Sequence, residues 1–294
     1  MPDSLGKGRA ENQRVGIFVK GSDEARKEAD QLADWLERRG VASLRVESVP
    51  PGRDPTAVRD EAAPDLSCVF VLGGDGTFLS AARWVGANPI PLLGIKFGEV
   101  GFLAECTAEG LLPAAAAILE GRFTTVPRMR LRVRVLRSGE TAADESVLND
   151  IVINKGALAR LARIQTYIDD RYLTTYRADG LILATPTGST AYSLAAGGPI
   201  LYPTVPGIIM TPICPFTLTN RPLIVPDSAV IKIRLGPDDA DIVLTFDGQS
   251  GMTISERDTI LVEKGPHPIR MIAMPDRHYF DVLKTKLRWS GERI

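Results

Sequence analysis

The chain of 294 residues is 44% hydrophobic and 24% charged, the make-up of a globular protein with room for one large or two medium domains. A formal net charge of -1 offers no basic field for nucleic acid or an anionic membrane, and no apolar run reaches bilayer-spanning length. Three scattered cysteines, Cys68, Cys106 and Cys214, argue against a disulfide framework or a close-spaced zinc site and point to a reducing, cytoplasmic setting.

The start, residues 1–14, is polar and unlike a signal peptide. Residues 15–20 read as a first buried strand. Ser22 stands where a helix cap belongs, with Asp23 and Glu24 in the first turn, where the helix dipole favours acids. Ala25, Ala29, Leu32 and Leu36 share one face, and Gly40 stops the helix. A second strand covers 41–46, a Pro-rich loop follows, and a short helical piece covers 56–63. The apolar run Cys68-Val69-Phe70-Val71-Leu72 is a third strand, and it runs into Gly73-Gly74-Asp75-Gly76-Thr77 and a helical pattern from Phe78. Another strand spans 90–95, and Thr107 begins a helix through Leu119 that Gly121 ends. Strands alternating with helices give a doubly wound parallel α/β sheet.

The texture changes near Pro127. Arg130-Leu131-Arg132-Val133-Arg134-Val135-Leu136 alternates strictly, the mark of a half-buried strand. Further strands are expected at 147–154, 163–169, 172–176, 181–185, 223–225, 230–235, 242–246 and 259–263. Helix signals are almost absent, so this part reads as all-β and sandwich-like. Phe280, Leu283, Leu287 and Trp289 are helix-spaced again. The expected organisation is 1–126 as the α/β domain, 127–275 as the β-rich domain, and 276–294 as a last helix that packs back on the first domain.

Two stretches carry chemistry. A strand, a glycine-rich turn and a helix N-terminus make a phosphate-friendly site, with free N–H groups and a partial positive charge. A turn built only to cradle phosphate would avoid the carboxylate of Asp75. That acid suits phosphoryl transfer instead, either holding a metal or taking a proton from an attacking hydroxyl. Taken alone, the turn reads equally as glycine-rich punctuation with a capping Asp. It is neither a Walker A loop nor G-x-G-x-x-G. The second stretch runs Thr185-Pro186-Thr187-Gly188-Ser189-Thr190-Ala191-Tyr192-Ser193-Leu194-Ala195-Ala196-Gly197-Gly198-Pro199-Ile200. Its small hydroxyl residues let a flat ligand approach the backbone, and Tyr192 offers a ring face and an OH. By composition alone it is equally a polar loop entering a short helix. Ser189 lies outside a G-x-S-x-G elbow, and His267 and His278 are the only histidines, so a hydrolase triad is poorly supported.

Together these motifs resemble the NAD kinases. The resemblance rests on Gly73 to Thr77, Leu148-Asn149-Asp150, Arg177-Ala178-Asp179-Gly180, and the stretch from Thr185 to Ile200. It continues through Asn220-Arg221-Pro222-Leu223, Asp247-Gly248-Gln249 and Tyr279-Phe280-Asp281-Val282-Leu283. It implies transfer of a phosphoryl group from ATP, or from polyphosphate, to the 2′-hydroxyl of the adenosine ribose of NAD, giving NADP. It implies Asp75 as the general base, with Gly74 and Gly76 beside it at nucleotide-contacting positions. Asn149 and Asp150, Arg177 and Asp179, and the run Thr190, Ala191, Tyr192, Ser193, Leu194 and Ala195 match nucleotide-binding positions. Gln249 matches a late contact, with Asp247 on its loop, and Arg160 matches loosely. The resemblance further implies Mg²⁺ carried mainly by the donor's phosphates, with no protein metal cage, and a homodimer or homotetramer. No nucleic acid or membrane partner is expected. Pro215-Phe216-Thr217-Leu218 departs from relatives, which often carry His where Phe216 stands. Two other readings remain open: a non-catalytic NAD(P)-binding regulator, and a lipid kinase sharing the glycine-rich turn.

Overall fold

The computed structural model describes residues 14–48, 65–97, 101–156, 161–237, 242–274 and 278–289. The helical piece expected over 56–63 and the candidate Arg160 lie outside the described residues. The chain divides into two compact units, Met1–Pro127 with Ile269–Ile294, and Arg128–Pro268. Among the described residues, no helix is long and apolar enough to cross a membrane.

In the first unit, β1 (Arg14–Val19), β2 (Ala42–Glu47), β3 (Cys68–Leu72) and β4 (Leu92–Lys96) pair in parallel in the order β2-β1-β3-β4. β3 is buried at every residue, as a parallel strand covered on both faces must be. Helix α1 (Asp23–Glu37) lays Ala25, Ala29, Leu32 and Leu36 on the core. Ser22 stands at its N-cap position in extended conformation, but its side chain makes no capping bond. At the other end Gly40 takes φ 71°, and the Val41 N–H donates to the Leu36 carbonyl at 3.1 Å, which closes the helix. Helix α2 (Asp75–Val85), β5 (Cys106–Thr107), α3 (Leu111–Leu119) and β6 (Thr124–Arg128) follow. A 3₁₀ turn over Ala108–Gly110 stands where the sequence suggested the first turn of α3.

Residues 269–273 fall within 127–275, the expected β-rich part, with no strand expected there; the strand Ile269–Ala273 belongs to the first unit's sheet. It pairs in parallel with β4, lies between β4 and β6, and buries Ile272 in the first unit's core. Its short apolar pattern carries no sign of which sheet receives it. The final helix, Tyr279–Leu287, groups with the same unit and buries Leu283. Phe280 and Trp289 share its helical spacing yet stay exposed.

The second unit is a sandwich of two six-stranded sheets. Its strands are β7 (Leu131–Arg137), β8 (Glu140–Val147), β9 (Asp150–Lys155), β10 (Ala162–Ile168), β11 (Arg171–Ala178) and β12 (Gly180–Ala184). They continue as β13 (Gly207–Ile213), β14 (Leu223–Pro226), β15 (Ile231–Leu235), β16 (Ile242–Phe246), β17 (Ser250–Ile254) and β18 (Asp258–Lys264). One sheet runs β11-β10-β15-β18-β7-β8, the other β14-β13-β12-β9-β16-β17. Val133, Ile164, Ile233 and Ile260 from the first meet Ile151, Ile153, Leu183 and Met210 from the second in one core. Arg132 and Arg134 point outward, paired with Asp144 and Glu263. The strand expected over 147–154 begins only at Asp150, after a break at Leu148-Asn149, and β8, β13 and β17 are not among the expected strands. On the outer face of the second sheet, Val152, Ile182, Ala184 and Ile209 are covered by Ala196 and Leu201. That packing holds the hydroxyl-rich loop after β12 over the sheet.

Candidate functional site

In the first unit the chain passes from β3 to α2 within two residues. Gly73 N–H donates to the Ile95 carbonyl at 2.9 Å, and Phe78 N–H to the Gly74 carbonyl at 3.1 Å. Asp75 therefore opens α2, its carboxylate half-buried in the first turn, where the dipole favours an anion. Its two oxygens are held from another loop. Phe102 N–H donates to Oδ2 and Leu103 N–H to Oδ1, each at 3.2 Å. A Cβ at Gly101 would lie 2.2 Å from Asp75 Oδ1, so only glycine lets that loop come so close. A carboxylate has about four acceptor positions. The two N–H bonds fix its plane and leave room to accept a hydroxyl proton.

In the second unit, five of the sequence-derived candidates, Asn149, Asp150, Ala191, Tyr192 and Asp247, line one cavity of about 350 Å³. Val152, Asn154, Thr245 and Gly248 complete its wall. Asp150, Val152 and Asn154 follow the two-residue period of β9 and so share a face. That alternation was visible in the sequence, and it was the signal that would have added Asn154.

Asp150 is buried. Loss of solvent pushes its carboxyl up to about 7, and the nearby Asp247 charge pushes the same way. Among the described residues the Asn149 side-chain oxygen is buried without a hydrogen-bond partner. Such a group costs about 1–3 kcal/mol when unpaired, and its position on the cavity wall fits a ligand that donates to it. Asp247 and Gly248 take φ 51° and 62°, and Gln249 N–H donates to the Phe246 carbonyl at 2.9 Å, so they form a tight reverse turn between β16 and β17. From that turn the Asp247 carboxylate accepts from the Leu148, Asn149 and Asp150 N–H groups at 2.9, 2.7 and 3.1 Å.

The loop after β12 uses its hydroxyls differently from the reading of the sequence. Thr185 donates to the Leu148 carbonyl, Ser189 to the Pro186 carbonyl, and Thr190 to the Thr187 carbonyl. Ser193 is fully buried against the Thr211 hydroxyl at 2.9 Å. These side chains fold the loop, because a buried hydroxyl without a partner is costly. A Cβ at Gly188 would lie 2.1 Å from the Asn149 carbonyl oxygen, so this loop presses directly on the Asn149–Asp150 corner. Tyr192 remains exposed, its ring available on the cavity wall. Thr190, Leu194 and Ala195 sit on the same short turns, which end in helix α4 (Tyr192–Ala195).

Arg177 and Asp179 do not line the cavity. Both are exposed where β11 passes into β12, and the Arg177 guanidinium lies 5.1 Å from the Phe216 ring. Phe216 makes a cation–π contact there. Gln249 follows the turn that Asp247 opens and is half-buried.

The fold and this geometry have counterparts. The model of the ATP-NAD kinase N-terminal domain matches residues 45–123, and that of the ATP-NAD kinase C-terminal domain matches 148–274. The chain belongs to the NAD kinase family. An NAD kinase of Desulfatibacillum aliphaticivorans is 56% identical over 283 residues, covering 96% of this chain and 100% of that one. The crystal structure of yeast NADH kinase complexed with NADH superposes with a TM-score of 0.84 at 26% identity, covering 97% of this chain and 90% of that one. An NAD kinase from Archaeoglobus fulgidus in complex with ATP shares the fold, with a TM-score of 0.73 at 24% identity over 95% of this chain and 100% of that one. The present chain is thus an enzyme of the NAD kinase family, with an α/β N-terminal part, a β-rich C-terminal part and a returning last helix.

Proposed function

We propose that this enzyme transfers a phosphoryl group from ATP or polyphosphate to the 2′-hydroxyl of the adenosine ribose of NAD, forming NADP, with Asp75 as general base. The ribose oxygen attacks the terminal phosphorus, the bond from that phosphorus to the bridging oxygen breaks, and the hydroxyl proton passes to the Asp75 carboxylate. With ATP the leaving group is ADP; with polyphosphate it is the shortened chain. A ribose hydroxyl is a weak nucleophile until a base receives its proton, and the backbone bonds from Phe102 and Leu103 keep this carboxylate in one orientation.

The observation that carries the NAD reading is the unpaired Asn149 oxygen on a cavity wall that also holds Asp150 and Tyr192. NAD offers N–H donors at both its adenine amino group and its carboxamide. Gly74 and Gly76 bring backbone close to the nucleotide. Thr190, Ala191, Tyr192, Leu194 and Ala195 supply the nucleoside-contacting segment. Ser193, whose hydroxyl is engaged by Thr211, takes part through its backbone. Arg177, Asp179, Gln249 and Arg160 are proposed as outlying contacts, with Arg177 suited to phosphate oxygens.

Mg²⁺ or another divalent cation, carried mainly by the phosphoryl donor rather than by the protein, would supply neutralisation of the charge that develops during transfer. Among the described residues no group of three or more His, Cys, Asp or Glu side chains gathers to hold a metal. Cytoplasmic placement and a homodimer or homotetramer complete the proposal, and light scattering on the purified protein reads the assembly. The deciding assay incubates the protein with NAD, Mg²⁺ and either ATP or polyphosphate, and follows NADP with an NADP-specific dehydrogenase. NADP formation with at least one donor is expected. Its absence with both donors, in protein shown to be folded, overturns the proposal.

A further inference from the structure

We infer that Asp247 is a positioning residue: its carboxylate clasps the backbone of Leu148, Asn149 and Asp150, and so sets where the nucleotide-facing side chains of Asn149 and Asp150 point. The inference rests on the reading of their cavity as the NAD site. Three N–H groups from consecutive residues converge on one carboxylate, and the Asp247 N–H returns a bond to the Asp150 carbonyl at 2.9 Å. N–H bonds to a charged acceptor are stronger than neutral ones. They fall at the break between β8 and β9, where the backbone leaves the ladder and needs other partners. The corner is closed from its other side by Thr185, whose N–H donates to the Asn149 carbonyl at 2.8 Å and whose hydroxyl donates to the Leu148 carbonyl at 2.6 Å. Asn149 is thereby fixed through its N–H and its C=O, while its side-chain oxygen is left without a partner among the described residues. An acceptor held this way costs little further ordering when a ligand donor arrives.

The turn geometry supplies clean variants. Positive φ at Asp247 and Gly248 suits Asn-Gly or Gly-Gly as well as Asp-Gly. Asp247→Asn keeps the turn and one acceptor oxygen, but sets an NH₂ against a backbone N–H. Asp247→Gly keeps the turn and removes the clasp. Two measurements are made on the full chain: hydrogen exchange of the Leu148–Asp150 amides without substrate, and steady-state kinetics in NAD. The expected result is faster exchange at those amides and an NAD KM raised about ten- to a hundredfold. Asp247→Gly should show the larger change in both, and kcat should stay within a few-fold of the parent. Unchanged exchange in Asp247→Gly overturns the clasp. Faster exchange with an unchanged KM, or a fall in kcat as large as the rise in KM, overturns its positioning role. If the parent protein binds no NAD at all, the site reading fails first, whereas parent kinetics that are normal while the variants behave as the parent sink this inference alone.

Discussion

Both units hold a carboxylate by backbone N–H groups of another loop, yet the two arrangements differ in a telling way. Asp75 accepts one N–H on each oxygen and remains half-buried at the mouth of a helix. Asp247 accepts three, from consecutive residues, within a turn that also forms part of a cavity wall. The first pattern orients an acid and leaves acceptor capacity for a reacting hydroxyl. The second spends an acid on fixing the backbone of its neighbours. Replacing each carboxylate should therefore give opposite kinetic signatures, and the largest effect is expected at Asp75. Asp75→Asn keeps one acceptor oxygen for the Phe102 and Leu103 N–H pair, sets an NH₂ against the other, and loses the base. Its kcat should fall about 10²–10⁴-fold with NAD KM nearly unchanged. A kcat within tenfold of the parent removes Asp75 from the base role.

Gly101 sharpens the same contrast, because it tests orientation while leaving the acid in place. In Gly101→Ala the new methyl would occupy the space of Asp75 Oδ1, 2.2 Å from its present position. Either the carboxylate turns or the loop withdraws and its N–H bonds lengthen. A misplacement near 1 Å costs about 10²-fold in rate. A kcat fall of that order, with the protein folded by circular dichroism, is expected. Parent-like turnover would show that the loop's hold on Asp75 is unimportant.

The difference between the two units also explains what the sequence showed. The β3–turn–α2 element was legible because everything that makes it is local: five buried apolar residues, glycines, and an acid at a helix start. The alternation of β7 and the run of β16 were legible for the same reason. The grip on Asp75 comes from Phe102 and Leu103, and that on Leu148–Asp150 from the distant Asp247, so no spacing in either neighbourhood announces them. The break between β8 and β9 was missed although the polar pair Asn149-Asp150 interrupts the apolar residues there. β13 carries Pro212 within a buried strand, opposite Leu181, where a proline ordinarily argues against strand. The hydroxyl-rich loop was visible as a motif, but its chemistry was misread in part. Composition cannot tell a hydroxyl offered to a ligand from one that holds its own loop together, as Thr185 and Ser189 do.

Next in size is an effect on stability rather than rate. Asp150 is buried and its carboxyl is pushed up to about 7, so between the ordinary carboxylate value and 7 the folded chain binds more protons than the unfolded one. Stability therefore falls as pH rises through this window and levels off above it. Asp150→Asn is neutral throughout. It should gain on the order of 3 kcal/mol over the parent at pH 8, read by urea unfolding, and the gain should shrink toward pH 4. The same change should weaken NAD binding, since it replaces a group on the cavity wall. A gain independent of pH would place the cost elsewhere than the carboxyl.

The smallest effect is expected at Tyr192, and it separates surface chemistry from scaffold. Its neighbour Ser193 is sealed against Thr211, so the turn that carries Tyr192 is fixed without help from the phenol ring. The ring itself is 44% exposed and lies on the cavity wall. Its removal in Tyr192→Ala should leave the midpoint of thermal unfolding within a few degrees of the parent, as exposed substitutions usually do. Lost stacking is worth about 0.5–1.5 kcal/mol, so NAD KM should rise roughly two- to tenfold with kcat held. A large loss of stability would mean that the ring supports the loop. An unchanged KM would mean that the nucleotide does not reach this wall, and the contrast between an orienting first unit and a binding second unit would then have to be redrawn around Asn149 and Asp150 alone.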